Sequence, residues 1–415
     1  MSLRTEKRPG PLSGYKILDF TRALAGPYAT MMLADMGATV IKVEAPDGDF
    51  IRSSGPFLDS ETHDDGLGGF FNSVNRNKES IVLDLRQPEG QKIAQQLAME
   101  CDACISNFSS VGILEKYNLG YDRLHELNPK LVYTVISGYG TDRVVGAVNK
   151  ERPTVDLMIQ AEGGVLSITG ADRDHMYKVG PGIGDLFPGA LSVIALLGAL
   201  IRAKDSGEGQ YVEVAMMDAI MSLCERMLYQ YSYTGVIAEP IGNNHPLQAP
   251  WSVYKTADGY ISICGSPVKY WDKLVAATDF EPLRAPQFAG AADRVKNVRE
   301  LNATIEQWTS ARTTAECMDA LLKYNCQAAP VNNAGDLFKN PHVKAREMLV
   351  DIEADGSTGR TVKVAGTPLK FSATPAKVCR RAPLLGENTK SILSDLGYGE
   401  EEIAALVEKG VTKIR

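Results

Sequence analysis

The segment Gly180-Pro181-Gly182-Ile183-Gly184-Asp185 stands directly ahead of a long apolar run, and Ala161-Glu162-Gly163-Gly164 lies a short way upstream. Clustered glycines permit close backbone approach and positive φ, which active-site loops often need. An apolar helical pattern from Asp185 to Ala203 places the acid where a helix begins. There the positive end of the helix dipole favours an ionised carboxylate, and first-turn N–H groups without partners can hold a developing oxyanion. An ionised carboxylate so placed can attack a carbonyl carbon and form an acyl anhydride. A plainer reading stands beside it, because Asp is also a favoured helix cap and most capping acids do nothing else. Local pattern does not choose between the two.

Other chemistries find less support. The turn Leu24-Ala25-Gly26-Pro27 sits where a dinucleotide fingerprint would fall but lacks the G-x-G-x-x-G spacing that lets a pyrophosphate approach the backbone. No G-x-x-x-x-G-K-[ST] loop, H-E-x-x-H pair or G-x-S-x-G elbow occurs. His63, His125, His175, His245 and His342 are isolated from one another in sequence, as filler histidines usually are. Cys101 and Cys104 form a C-x-x-C pair, but no second ligand pair follows at a zinc spacing, so they read as packing residues.

The elements that must carry these residues can be read from periodicity. Tyr15 to Phe20 is a strand pattern, the Ala25-Gly26-Pro27 break leads into a helix through Met36, and Gly37 stops it. Thr39 to Val43 is a second buried strand, so the three form a β–α–β unit. Strands over Ser80–Leu85, Ala103–Ser106 and Leu131–Ser137 and a helix over Pro88–Glu100 continue the rhythm. Gln210–Val214 is a further strand, followed by a Met-rich helix to about Tyr233. Tyr254–Ile263, split by Asp258-Gly259, reads as a hairpin. The fold class is therefore α/β: a doubly wound parallel-sheet, Rossmann-like large domain (1–234 and 331–415) and a smaller α+β domain (235–330). Such sheets bind ligands beyond the carboxyl ends of their strands.

The chain has 415 residues, enough for two domains. Its net charge of −7, with Lys and Arg dispersed, argues against nucleic acid or an anionic membrane as the partner. Seven scattered Cys do not suggest a disulfide framework. The charged N-terminal stretch lacks an apolar core for a signal peptide, and the apolar run from Leu186 to Ile201 is shorter than the roughly 20 residues of a typical membrane span, so a cytoplasmic protein is expected.

Several blocks add up to a resemblance. In order they are the A-G-P turn at Ala25–Pro27, the L-A-D-x-G-A helix end at Leu33–Ala38, the K-V-E-x-P strand end at Lys42–Pro46, and NRNKESIVLDLRQPEG from Asn75. Further along come ISNF from Ile105, DLMIQAEGG from Asp156, GDLFPGALSVIALLGALIRAKDSGEGQYVEVAMMDA from Gly184 and RAPLLGENT from Arg381. The ordered set resembles the family III (type III) CoA-transferases, the superfamily of formyl-CoA and carnitine CoA-transferases and α-methylacyl-CoA racemases. The resemblance implies an acyl-CoA:carboxylate CoA-transferase with Asp185 as nucleophile, working through aspartyl anhydride and aspartyl-CoA thioester intermediates. It implies coenzyme A as substrate and product, no permanently bound cofactor and no metal. The partners it implies are an acyl-CoA donor, a carboxylic acid acceptor and a second copy of the chain in an interlocked homodimer.

By the same resemblance, contacts to coenzyme A map onto Leu24, Ala25, Ala45, Leu83, Arg86, Asn107, Phe108, Ser109, Lys116, Arg152, Thr154, Val155 and Asp156. Arg86, Lys116 and Arg152 supply cations suited to phosphate oxygens. Leu24 stands where formyl-CoA transferases carry Gln, Ala45 replaces an Arg of some members, and Ile241–His245 replaces a glycine-rich loop, which argues against an oxalate/formyl role. The racemase branch pairs its Asp with a His, since moving a proton between two faces needs two acid/base groups. Here the corresponding step is Val155-Asp156, without His. A non-catalytic CoA-binding subunit is the other alternative.

Overall fold

The computed structural model describes residue 3 and residues 9–58, 67–108, 110, 112–265, 268–354 and 359–415. Among the expected site residues, Ser109 lies outside the described residues, as does His63. The chain divides into two compact units. One takes residues 1–165, 179–225 and 342–415, and the other takes 166–178 and 226–341, where the sequence reading draws the small domain at 235–330.

The first unit is built on six parallel strands, β1 (Lys16–Asp19), β2 (Thr39–Glu44), β3 (Glu79–Val82), β4 (Ala103–Ser106), β5 (Val132–Ser137) and β6 (Tyr211–Ala215), in spatial order β3-β2-β1-β4-β5-β6. Direction reverses on either side of β1, which is the doubly wound arrangement. Because successive strand residues point to opposite faces, Ile17 and Leu18 enter different cores, as do Val40 and Ile41, and Val132 and Tyr133. Both faces are covered, so most strand residues are buried, including the charged Asp19 of β1 and Lys42 and Glu44 of β2. On one face lies α2 (Pro88–Glu100), with Ile93, Ala94 and Leu97 buried. On the other lie α1 (Ala25–Asp35) and α4 (Ile183–Ser206), which pack on each other. Gly37, just past α1, holds φ +97, a conformation glycine adopts freely.

At 24 residues and a mean hydropathy of 1.9 over its best window, α4 is long and apolar enough to cross a membrane by length and composition. That corrects the shorter apolar length read from sequence. Its stripe Ser192, Val193, Leu196, Ala199, Leu200 and Ala203 is buried against α1 and the sheet. The expected Met-rich helix is two helices, Met216–Leu223 and Glu225–Thr234. Cys101 and Cys104 sit in the α2-side core, where burial pushes both thiols up and away from thiolate chemistry.

The second unit has its own antiparallel sheet of Trp251–Lys255, Tyr260–Cys264 and Gln327–Pro330. Tyr254, Ile261, Ile263, Trp271, Leu301, Ile305 and Trp308 form its core. The expected hairpin is present, turning between Lys255 and Tyr260.

Candidate active site

Asp185 is the third residue of α4, not its cap: the cap position is Gly182, which has no side chain to offer. The helix's first N–H groups are all taken. Ile183 donates to the Pro181 carbonyl at 2.8 Å, and Asp185 and Leu186 donate to the Gly182 carbonyl at 3.1 and 2.9 Å. Gly184 donates to Asp156 Oδ1 at 2.8 Å. This corrects the expectation of free first-turn donors, and it also removes the plain capping role from Asp185. The half-buried Asp185 carboxylate accepts no hydrogen bond among the described residues. Burial, and then the neighbouring Asp156 carboxylate, push its carboxyl up to about 6. Both act against the helix dipole, expected from sequence to favour the ionised form.

Asp156 opens a short helix, α3 (Asp156–Glu162), behind Val155. It is held by Gln160 Nε2, which donates to both carboxylate oxygens at 3.1 and 2.9 Å, and it accepts from Gly184. The fit explains a glycine: a Cβ on Gly184 would stand 2.8 Å from the Asp156 carbonyl oxygen and 2.9 Å from its Oδ1. Two carboxylates thus meet at one helix start, one fully engaged and one not.

The turn after β1 completes this corner. Leu24 precedes α1, and a Cβ on Gly182 would meet its Cδ2 at 3.2 Å. A Cβ on Gly189 would meet the Ala25 carbonyl oxygen at 2.6 Å, so the two helices approach backbone to backbone. On the far side of the same turn, Arg22 lines a cleft of about 530 Å³ beyond the carboxyl ends of β1 to β4. Phe20, Ala45, Leu83, Arg86, Phe108 and Lys413 also line it.

The sequence model described as CoA-transferase family III matches residues 12–389. The chain belongs to this family. A succinyl-CoA:mesaconate CoA-transferase of Haloarcula hispanica is 40% identical over 94% of the chain and 97% of its own length. A succinate–glutarate CoA-transferase of Agrobacterium fabrum is 34% identical over 94% and 96%. The crystal structure of a CAIB/BAIF family protein from Brucella suis matches with a TM-score of 0.83 at 34% identity, covering 94% of this chain and all of that one.

The residues expected to touch coenzyme A in this CoA-transferase fall into groups. Ala45, Leu83, Arg86 and Phe108 gather at the cleft, Leu83 forming its floor from within the core. Arg86 is exposed and forked onto Asp84 at 2.8 and 2.9 Å. Asn107 grips Arg22 through both backbone groups, accepting from its N–H at 2.9 Å and donating to its carbonyl at 2.8 Å, so it supports the turn. Leu24, Ala25 and Asp156 belong to the Asp185 corner. Thr154 packs over Gly138, Val155 is exposed before α3, and Arg152 pairs with Glu162 at 2.6 Å over the Tyr139 ring. Lys116 is exposed, next to the cleft residue Tyr117.

Sequence reading missed Arg22 and Lys413. Arg22 stands three residues before the A-G-P turn at Ala25 and is a local signal. Lys413 has no local signal: it reaches the cleft because Val411 accepts from the Asp84 N–H at 2.8 Å and Thr412 donates to the Val82 carbonyl at 2.5 Å.

Proposed function

We propose that this family III CoA-transferase moves coenzyme A between small dicarboxylic acids, with Asp185 as covalent nucleophile. The observation that carries the reading is a half-buried carboxylate, without a hydrogen-bond partner among the described residues, beside a second carboxylate that has taken over the helix cap. Such a group costs stability and is kept for chemistry. At neutral pH a group titrating near 6 is mostly ionised, yet more basic than a solvated Asp, which suits attack on a thioester.

An Asp185 oxygen attacks the donor's thioester carbon, the C–S bond breaks and coenzyme A leaves as thiolate. The thiolate then attacks the Asp185 carbonyl carbon of the mixed anhydride, releases the donor carboxylate and forms an aspartyl-CoA thioester. The acceptor carboxylate displaces coenzyme A to give a second anhydride. Attack of the thiolate on the acceptor's acyl carbon frees Asp185. Each step exchanges one acyl bond for another, so thioester energy is retained.

Coenzyme A lies in this reading across the β1–β4 cleft, with Arg86, Arg22 and Lys413 near its phosphates and the 21–25 turn leading its thiol toward Asp185. The names of the Haloarcula and Agrobacterium relatives support succinyl-CoA as donor and a five-carbon dicarboxylate as acceptor. A homodimer belongs to the same reading. On α4, Ile194 and Ile201 are about two-thirds exposed, an apolar face that a second copy would cover; light scattering in solution tests it. A cytoplasmic location is also proposed, to be checked by cell fractionation.

The decisive experiment incubates the enzyme with succinyl-CoA and hydroxylamine and maps the adduct by mass spectrometry. A hydroxamate on Asp185 is expected. Exchange of an α-proton in deuterated water without an adduct would instead indicate the racemase chemistry.

A further inference from the structure

Beneath the turn that carries Leu24 lies a cluster of buried charges that the transfer chemistry does not consume. Asp19 ends β1, and its side chain has no exposure. Its Oδ1 accepts from the Thr21 N–H at 2.8 Å and the Thr21 hydroxyl at 2.5 Å, and its Oδ2 accepts from the Thr30 hydroxyl at 2.7 Å. Lys78 Nζ lies 3.1 Å from Asp19 Oδ2 and donates to the Pro27 carbonyl at 3.1 Å and to Asn75 Oδ1 at 2.7 Å. Lys42 Nζ donates to the Thr21 carbonyl at 2.6 Å and to Asp49 Oδ2 at 3.1 Å. These bonds converge on Thr21, Pro27 and Thr30, at both ends of the segment that contains Leu24 and Ala25.

We propose that Lys78, acting with Asp19, is a positioning residue for the transfer reaction: the ion pair clamps the 21–30 segment so that Leu24 and Ala25 stay seated against Gly182 and Gly189 of the helix bearing Asp185. This rests on Asp185 being the nucleophile. The geometry has little slack. Ala25 and Gly189 meet backbone to backbone, so a small movement of the segment would shift the start of α4 or open the corner around Asp185.

The clamp is also a titratable device. Burial pulls Lys78 down to about 8; Asp19 and Asp49 oppose that shift, and Lys42 adds to it. The charged groups around Lys78 are Asp19 from β1, Lys42 from β2, Asp49 from the loop after β2, and Asp35 from the end of α1, where Asp35 is forked by Arg76. Asp19, Asp49, Lys42 and Lys78 sum to zero while Lys78 is protonated and to −1 once it is not. Above pH 8 Asp19 therefore loses its paired cation and the clamp slackens. The linkage sign separates this from unfolding. A Lys whose folded value is depressed weakens the fold while charged, so its contribution to stability recovers as pH rises above 8.

The test measures kcat from pH 6.5 to 9.5, the thermal midpoint at each pH, and hydrogen exchange of the 21–30 segment at pH 7 and 9.5, corrected for intrinsic rates. Wild type is expected to lose roughly tenfold in kcat between pH 7 and 9 with no fall in midpoint, and to exchange faster in that segment at high pH. Lys78→Arg, which cannot lose its proton in this range, is expected to keep activity and lose the alkaline limb. An unchanged limb in Lys78→Arg overturns the proposal, and so does wild-type exchange over 21–30 that is insensitive to pH, which needs no variant. Failure of the nucleophile itself would show differently, as no hydroxamate on Asp185 at any pH.

Discussion

Two sets of acids, one fully buried and one half-buried, lie at the same end of the sheet and are treated in opposite ways. Asp19 and Asp49 are matched by Lys78 and Lys42, and hydroxyl and backbone donors fill the lone pairs of Asp19. The Asp19 carboxyl, despite complete burial, is held below the usual carboxylate range, because Lys78, Lys42 and the two Thr hydroxyls outweigh the desolvation that would raise it. Asp185 has no cation, no donor among the described residues, and a second carboxylate for a neighbour, so its proton is held up to about 6. Neutralised charge builds; charge left unneutralised is available to react.

The difference breaks most sharply on removal of each charge. On the proposed mechanism, Asp185→Asn is expected to lower kcat by at least ~10³-fold, since the amide cannot act as the nucleophile. It should also make the protein more stable. A carboxyl whose folded value is raised from 3.8 to about 6 contributes stability below pH 4 that is lost as pH rises through 6, so the ionised group burdens the fold at neutral pH. Removing it is expected to gain ~1–3 kcal/mol at pH 7.5 and little at pH 4.5, read from denaturant midpoints. A variant that is inactive and less stable at both pH values would mean Asp185 is a structural residue.

Asp19→Asn runs the other way. It leaves Lys78 and Lys42 facing one carboxylate fewer, and a buried pair broken on one side costs about 3–5 kcal/mol. The same denaturant titration checks it. A loss under ~1 kcal/mol would show that the cluster is wetter than its burial implies, and the contrast with Asp185 would lapse.

Much of this arrangement was legible in sequence, and the limits have physical causes. Residues 88–100 and 103–106 form the helix and strand expected over those spans, because Pro88 at the first helical position and the apolar run at Ala103 are local signals. Asp185 was found as a candidate, but its helix starts two residues earlier, with the Gly184 N–H in the added turn held by the carboxylate of Asp156. That contact spans 28 residues, beyond any windowed pattern. Lys78 carries the opposite lesson. In a run of Asn75-Arg76-Asn77-Lys78-Glu79 a lysine reads as solvated, yet its side chain is fully buried because Asp19, the acid that ends the buried strand β1, needs it. The buried acid is the signal that sequence reading could have used.

Asp156→Asn sharpens the comparison at the pair itself. An Asn oxygen can keep the bond from the Gly184 N–H, so the helix start should survive while the second charge disappears. With Asp185 in the proposed role of nucleophile, wild type is expected to show an acid limb in kcat/KM near pH 6, where its carboxylate takes a proton. In the variant the limb should move to lower pH by roughly half to one unit, desolvation alone remaining. A limb that stays fixed would mean the neighbouring carboxylate has no part in tuning Asp185.

The smallest effect belongs to the cleft. Arg86 is largely exposed, and its fork is already on Asp84, which holds the Asp84 carboxyl low. A phosphate in the cleft would have to compete with that pairing, and exposed ion pairs are weak and screened by salt. Arg86→Ala is therefore expected to raise the KM for succinyl-CoA only about two- to fivefold, less in high salt, with kcat unchanged. Asp84→Asn carries the opposite sign: releasing the guanidinium should lower the same KM. If both variants raise KM equally, the Arg86–Asp84 pair is a structural clasp for the 84–87 turn, and the cation that meets the phosphates must be sought at Arg22 or Lys413.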